Sequence, residues 1–152
     1  MRTIFIVDDN QTNLLMAKEV LDGTYRALAL PSAEKMFDII KKIMPDLILL
    51  DMEMPGMDGY TALIKLKENP MTNHIPVIFL TSYSNEALET MTLNAGAVDF
   101  ITKPFIPAVL LNRIRLQIEI IELKTMLSTI SQRLLVGNVK EAVILANEYR
   151  KR

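Results

Sequence analysis

The sequence of 152 residues contains no cysteine and a single histidine. The absence of cysteine excludes disulfide bonds, thiolate metal sites and cysteine nucleophiles, and it fits the cytoplasmic location that we expect. Zinc lacks its usual ligands for the same reason. No apolar run approaches the roughly 18 to 20 residues that span a bilayer, and two aspartates interrupt the apolar N-terminus, so neither a membrane span nor a signal peptide is expected.

Charge is unevenly distributed along the chain, although the net charge is only −1. Residues 1–102 carry 8 basic and 14 acidic residues, whereas residues 103–152 carry 9 basic and 4 acidic ones. The acidic first part is unlike a nucleic-acid-binding surface, and the basic residues of the tail are scattered rather than clustered. We therefore expect no direct binding to nucleic acid.

Short apolar runs recur about every 20 to 25 residues and alternate with segments of helical periodicity. Their nearly continuous hydrophobicity is typical of parallel strands that are covered on both faces. The pattern predicts a parallel sheet with helices on both sides. The five predicted strands are residues 3–7, 27–30, 47–50, 77–80 and 98–101.

The pattern changes after Pro104, because residues 107–135 contain neither glycine nor a further proline beyond Pro107. This segment predicts one helix that is longer than the usual 8 to 20 residues. Asn138 and Glu141 have the spacing of a capping box, which predicts a short last helix after an interruption at Val136-Gly137.

Leucine and isoleucine recur along the long helix at alternating spacings of four and three residues, as in a coiled coil. We call this row of side chains the seam, and it predicts that the helix pairs with a second copy of the chain. In the alternative, the last helix folds back and covers the seam through Val139, Ala142, Val143 and Ala146. The seam consists of Leu116, Ile120, Leu123, Leu127, Ile130 and Leu134.

Polar side chains stand where four of the five predicted strands end. Asp8-Asp9, Asp51, Thr81 and Lys103 occupy these positions, and ligands of parallel sheets bind at this edge. Each residue alone has an ordinary structural explanation, such as capping of the following helix. Together, crowded carboxylates require a cation, and their oxygen ligands suit Mg²⁺. With Lys103 as a second positive charge and Thr81 as a donor, Asp51 is the natural nucleophile for phosphoryl transfer to a carboxylate.

Two other kinds of site fit the sequence less well. In a dehalogenase-type phosphatase the nucleophilic aspartate follows the first strand and a second aspartate lies two residues later, whereas Glu53 and then Pro55 follow Asp51. A calcium loop beginning at Asp51 would require a bidentate glutamate at its twelfth position, where Ala62 stands.

The chain resembles the response-regulator receiver domains of two-component signalling over residues 1 to about 125. The resemblance rests on four segments in the order and spacing of that family: IFIVDDN, DLILLDMEMPGMDGY, IPVIFLTS and NAGAVDFITKPF. It implies a flavodoxin-like, doubly wound sheet of five parallel strands in the order 2-1-3-4-5. A fifth helix would begin near residue 106, and residues 126–152 would form a helical extension or linker.

The resemblance also implies roles for individual residues. Asp51 would accept a phosphoryl group from a sensor histidine kinase or a phosphotransfer protein. Asp8, Asp9, Asp51 and the main-chain carbonyl of Glu53 would hold Mg²⁺, and Lys103, which precedes a cis peptide bond to Pro104, would contact the phosphoryl oxygens. The remaining implied roles are the switch residues, Thr81 and Phe100, and the side chains that tune the lifetime of the phosphoryl group, Glu53 and Tyr83.

The function implied by this resemblance is a signalling receiver rather than an enzyme with its own substrate. Its chemistry would be limited to self-catalysed phosphorylation of Asp51 and slow autodephosphorylation, with the conformational change passed to the C-terminal helix. The alternative is a degenerate receiver that acts only as a protein-binding module. Phe105 is followed by 47 residues, and we expect either a stand-alone receiver or part of a longer chain with an output domain.

Overall fold

The computed structural model describes residues 1–83, 85–137 and 139–151. Five strands alternate with helices along the first part of the chain, and two further helices follow. The strands are β1 (Thr3–Val7), β2 (Arg26–Leu30), β3 (Leu47–Asp51), β4 (Val77–Thr81) and β5 (Asp99–Thr102). The helices are α1 (Gln11–Leu21), α2 (Ala33–Ile40), α3 (Gly59–Glu68), α4 (Glu86–Asn94), α5 (Pro107–Leu135) and α6 (Val139–Arg150).

The strands form one parallel sheet in the order β2-β1-β3-β4-β5. This order and the flavodoxin-like fold confirm the expectation from the sequence. The register pairs Val7 with both Leu30 and Leu50, and it pairs Thr81 with Thr102. The ends of β1, β3, β4 and β5 therefore lie at one edge of the sheet.

Burial distinguishes the central strands from the edge strands. Every residue of β1, β3 and β4 is buried, whereas β2 and β5 contain half-buried and exposed positions. Edge strands are covered by neighbours less completely, so they need less continuous hydrophobicity. The predicted boundaries differ by one residue at β2, β3, β4 and β5, and Asp51 and Thr81 are the last residues of their strands rather than the first residues of loops.

Polar side chains begin the helices that follow the strands. Asn10, Ser32, Asp58 and Asn85 each accept a hydrogen bond from the main-chain N–H three residues later. Such N-caps satisfy main-chain donors that have no partner within the helix. The loops that carry the strand-end residues therefore end at defined points.

The chain forms two compact units, Met1–Ile114 and Arg115–Arg152. Helix α5 begins in the first unit and continues as one helix to Leu135, which confirms the predicted long helix. The predicted last helix is present as α6, but Asn138 of the predicted capping box lies outside the described residues. Among the residues that the structure describes, no helix combines the length and hydropathy that crossing a membrane requires.

Gly59 allows the first turn of α3 to pack directly against the end of β3. Its N–H donates to the carbonyl oxygen of Met52 at 2.9 Å. A Cβ atom on Gly59 would lie 2.2 Å from the main-chain oxygen of Asp51, which is far below van der Waals contact. Only glycine therefore fits at this position, although its backbone is that of an ordinary helix.

We expect Gly59→Ala to destabilise the protein by about 2–4 kcal/mol, because main-chain atoms at the end of β3 must move. Alanine normally stabilises a helix relative to glycine. A decrease in the free energy of unfolding would therefore indicate the steric clash rather than helix propensity. Chemical denaturation would measure the change. Gly23→Ala is the control, because Gly23 has a positive φ of 80° but open space around it, and it should cost only about 1 kcal/mol. Equal losses in both variants would contradict the steric explanation.

Candidate functional site

The strand-end side chains named in the sequence analysis converge at one edge of the sheet. Asp8 follows β1, Asp51 ends β3, Thr81 ends β4, and Lys103 follows β5. One carboxylate oxygen from each of Asp8, Asp9 and Asp51 lies within 4.8 Å of the other two. Asp8 and Asp51 are buried, whereas Asp9 is exposed. The cluster therefore has one side that is closed by protein and one side that faces solvent.

Lys103 links two of the three carboxylates. Its Nζ atom lies 2.6 Å from Oδ2 of Asp8 and 2.9 Å from Oδ1 of Asp51. Burial opposes the ammonium charge, but the hydrogen bonds to Asp8 and Asp51 outweigh it and raise the pKa of Lys103. The peptide bond from Lys103 to Pro104 is cis, as the resemblance implied.

Asp8 is held by its own loop and helix as well as by Lys103. Its Oδ1 accepts from the N–H of Asn10 at 2.8 Å, and its Oδ2 accepts from the side-chain amide of Asn13 at 3.2 Å. Hydrogen bonds of this kind stabilise an ionised carboxylate. Asp8 is therefore a fixed negative charge beside Asp51.

The pKa of the Asp51 carboxyl is raised above its ordinary value. Burial raises its pKa to about 6, Lys103 opposes this shift by hydrogen bonding, and the negative charge of Asp8 adds to it. The N–H of Glu53 donates to Oδ1 of Asp51 at 3.4 Å. An ionised Asp51 is thus poorly solvated by its surroundings, which is typical of a functional carboxylate.

The donor set fits a divalent cation. Three carboxylates and one ammonium leave a local charge of −2, and a cation bound by oxygen ligands compensates it. Lys103 forms ion pairs with Asp8 and Asp51, whereas Asp9 is exposed, so a cation can reach the cluster from solvent. The side chains of Asp8, Asp9 and Asp51 are therefore suited to hold Mg²⁺.

The hydroxyl of Thr81 is buried and forms a local pair of hydrogen bonds. It donates to the carbonyl oxygen of Tyr83 at 3.1 Å and accepts from the N–H of the same residue at 3.2 Å. The Tyr83 side chain itself is exposed. The half-buried ring of Phe100 packs against the main core from β5. Thr81 lies at the carboxylate edge, but its hydroxyl makes these bonds within its own loop.

Glu34 supports the loop after Asp51, and the sequence analysis did not identify it. This residue lies in the first turn of α2, and its Oε1 accepts from the N–H of Met57 at 3.0 Å. Hydrogen bonds to main-chain N–H groups, including that of Met57, lower the pKa of Glu34. A Cβ on Gly56, whose φ is +75°, would lie 2.8 Å from the same Oε1 atom. Gly56 is the available sequence signal, since a glycine here permits both the turn and the close approach of Glu34.

Comparison with known proteins gives a consistent result. Residues 4–115 match a family model described as the response regulator receiver domain. The chain is 39% identical over 117 residues to the "Probable cyclic di-GMP phosphodiesterase" of Vibrio cholerae serotype O1, covering 77% of this chain and 26% of that protein. It is 39% identical over 116 residues to the response regulator PleD of Caulobacter vibrioides, covering 74% of this chain and 25% of that protein. This chain thus matches about a quarter of the length of these two relatives.

A solved structure agrees with these matches. The signal receiver domain of a signal transduction histidine kinase from Syntrophus aciditrophicus is 33% identical, with a TM-score of 0.72. The alignment covers 78% of this chain and 91% of that domain.

We expect Asp51→Asn to stabilise the metal-free protein at pH 7.5. The folded-state pKa of about 6 exceeds the unfolded value of about 3.9, so ionisation of Asp51 weakens the fold as pH rises between these values. The asparagine variant should gain roughly 1–3 kcal/mol above pH 7, and the gain should shrink as pH falls toward 5. Urea denaturation of both proteins at pH 7.5 and pH 5, in the presence of a chelator, would measure the difference in their free energies of unfolding. A gain that is independent of pH would show that charge is not the cause.

Proposed function

Because this chain belongs to the response regulator receiver domain family, we propose that it is a phosphorylation-activated receiver in which Asp51 is the phospho-acceptor. The donor would be the phosphohistidine of a sensor histidine kinase or a phosphotransfer protein. The observation that carries the proposal is the contact of one ammonium, Lys103, with both Asp8 and Asp51 inside a cluster of three carboxylates.

The proposed chemistry is a phosphoryl transfer between side chains. An oxygen of ionised Asp51 forms a bond to phosphorus, the phosphorus–nitrogen bond of the donor breaks, and the imidazole leaves with the electron pair of that bond. The Lys103 ammonium lies 2.9 Å from the Asp51 oxygen, so it is placed to bind the negatively charged oxygens of the incoming group. Asp8 holds that ammonium in place from its other side.

Magnesium would be held by Asp8, Asp9, Asp51 and the main-chain carbonyl of Glu53. When bound, it supplies positive charge that stabilises the transferring phosphoryl group. The three carboxylates by themselves carry a charge that Lys103 compensates only in part. This charge balance supports the requirement for a divalent cation in addition to the lysine.

Thr81 and Phe100 would transmit the modification. The Thr81 hydroxyl lies at the end of the strand next to Asp51 in the sheet, and it would exchange its bonds to Tyr83 for one to the phosphoryl group. Phe100 lies on β5, beside Thr81's strand, and its half-buried ring would move inward. Such a change biases an equilibrium between two conformations rather than creating a new one. The side chains of Glu53 and Tyr83, both exposed, would tune the lifetime of the phosphoryl group.

We take the receiver to end near residue 125, and we propose that residues beyond it link it to an output through a homodimer. The six seam residues, Leu116, Ile120, Leu123, Leu127, Ile130 and Leu134, would form its interface. Five of them are exposed within the chain and Ile130 is half-buried, so the alternative in which α6 covers the seam is not supported.

Acetyl phosphate with Mg²⁺ tests the phospho-acceptor. We expect wild type to gain the mass of one phosphoryl group, and Asp51→Asn to gain none because the amide is a poor nucleophile. A chelator should abolish the gain in wild type. Asp38→Asn, which changes an exposed carboxylate on α2, is the control and should be modified like wild type.

Three results would contradict the proposal, and each has a distinct meaning. Modification of the Asp51→Asn variant would place the acceptor elsewhere. Hydrolysis of acetyl phosphate without modification would indicate a phosphatase. Neither modification nor hydrolysis, in a protein shown to be folded by circular dichroism, would indicate a degenerate receiver that acts only by binding.

Glu34→Ala should weaken Mg²⁺ binding by roughly tenfold, because residues that hold a ligand in place contribute about 10- to 100-fold to metal affinity. The loop that Glu34 supports carries the proposed Glu53 ligand, and its bond to Met57 would be lost. Glu34→Gln keeps the acceptor oxygen and should bind nearly as wild type. Asp38→Ala removes an equal charge from the same helix and is the control. Titration of main-chain amide NMR shifts with Mg²⁺ would measure all four proteins, and equal affinity throughout would exclude this role.

A further inference from the structure

The second unit exposes an unusual amount of apolar surface. Of the 21 large hydrophobic side chains that are exposed among the described residues, ten lie from residue 116 onward, in one quarter of the chain. Monomeric proteins rarely expose contiguous apolar patches larger than a few hundred Å². Such concentration indicates a surface that another molecule covers.

The chain turns between α5 and α6 at Gly137. This glycine has a φ of +77°, and its N–H donates to the carbonyl oxygen of Leu134 at 3.0 Å. Arg133 and Glu141, each four residues from Gly137, form an ion pair of 3.0 Å between their side chains. We infer from this contact and from the burial of Ala142 that α6 folds back beside the end of α5, as an antiparallel αα-hairpin.

Each helix of the hairpin has a covered stripe. On α6 the buried or half-buried residues recur at helical spacing, namely Ala142, Leu145, Ala146 and Tyr149. On the distal half of α5 the half-buried residues are Met126, Thr129, Ile130 and Arg133. We take these stripes as the faces with which the two helices of the hairpin meet.

Val139 and Val143 lie about 90° around α6 from its covered stripe, at about 100° per residue. The exposed seam residues lie about 90° around α5 from its covered stripe. Viewed from the N-terminal to the C-terminal end of each helix, this rotation has the same direction as that of the two valines on α6. Because the two helices are antiparallel, equal rotations in the same sense bring both sets to the same side of the hairpin. The ion pair of Arg133 with Glu141 falls on the other side.

This side of the hairpin, which we call the hairpin face, is apolar along α5 and over the first two turns of α6, beyond which the exposed Arg150 occupies the same rotational position. Its exposed fractions are 55% for Leu123, 60% for Leu127, 49% for Leu134, 55% for Val139 and 53% for Val143. Helix α6 therefore covers only Ile130 of the seam, and it lies beside the other five seam residues and widens the apolar surface that they form.

The charges beside the seam match a second copy of the chain in parallel orientation. In the heptad defined by the seam, Ile120, Leu127 and Leu134 occupy position a, and Glu119 and Lys124 occupy positions g and e. A parallel pair of such helices places Glu119 of one copy next to Lys124 of the other, twice by symmetry. An antiparallel pair would instead direct Glu119 toward Arg133, which Glu141 already engages.

We propose that the hairpin face docks a second copy of this chain in parallel, with Val139 and Val143 of α6 forming part of the dimer interface. The inference rests on the homodimer in the proposed function and adds α6 to it. The interface would then comprise the hairpins of both copies rather than a two-stranded coiled coil of less than three heptads, which is marginal by length.

Sedimentation equilibrium of the full chain at tens of micromolar tests the interface. We expect wild type to be a dimer, and Val139→Lys with Val143→Lys to weaken dimerisation at least tenfold. Ile144→Lys is the matched control, because Ile144 is also exposed on α6 but lies outside the hairpin face, and it should dimerise as wild type. All three α6 substitutions are at exposed positions, and circular dichroism would verify that helix content is unchanged.

Leu123→Lys with Leu127→Lys separates the two levels of the proposal. If this seam variant is monomeric while the Val139 and Val143 variant dimerises as wild type does, the role of α6 is wrong and the seam dimer stands. A monomeric wild type would overturn both and would leave the hairpin face to a different protein. Phosphorylation of Asp51 is measured independently by mass, so its failure is distinguishable from the failure of dimerisation.

Leu116→Cys tests the orientation, because the chain has no other cysteine. In a parallel dimer the two Leu116 positions face each other at the start of the seam, and mild oxidation should give a disulfide-linked dimer. In an antiparallel dimer they are separated by the seam, about 27 Å for 18 residues. A variant that dimerises but does not cross-link would overturn the parallel arrangement.

Discussion

The contact of Lys103 with Asp8 and Asp51 is the interaction on which the site depends. Its three members come from loops or strand ends at β5, β1 and β3, which are far apart in sequence and not all adjacent in the sheet. Two buried carboxylates this close would repel each other without a positive charge between them. The ammonium allows both to remain within the fold, although burial still raises the pKa of Asp51 to about 6 and the negative charge of Asp8 adds to that shift. A site that is stable yet short of positive charge is prepared to accept a cation.

The sheet and the strand-end residues were predictable because each depends on local sequence. Apolar runs with polar residues at one end define both the strands and the edge at which their side chains meet. Asp8, Asp51, Thr81 and Lys103 converge for that reason, and Asp9 joins them as the next residue in the chain. Strand boundaries were less predictable, since Asp51 and Thr81 are polar and yet continue the main-chain pairing of their strands.

Long-range contacts were beyond what sequence reasoning reached. The bond from Glu34 to the main chain of Met57 joins residues 23 positions apart, and an acidic residue in a first helical turn has the simpler explanation of favouring the helix dipole. The position of α6 beside the seam was equally inaccessible. The valines of α6 have the spacing of a covering face, and only the rotation of the helix in the hairpin shows that they remain exposed.

The paired hydrogen bonds between Thr81 and Tyr83 have a consequence for the signal that the unmodified protein would send. In the proposed switch the hydroxyl must leave both bonds before it can turn toward Asp51. Hydrogen bonds of this kind contribute about 0.5–1.5 kcal/mol each. Losing both, about 1–3 kcal/mol in total, would restrict spontaneous activation to roughly one molecule in five to one in 150, since 1.4 kcal/mol corresponds to a factor of ten. The fraction of unmodified protein in the active conformation would thus depend on two local hydrogen bonds within residues 81–83.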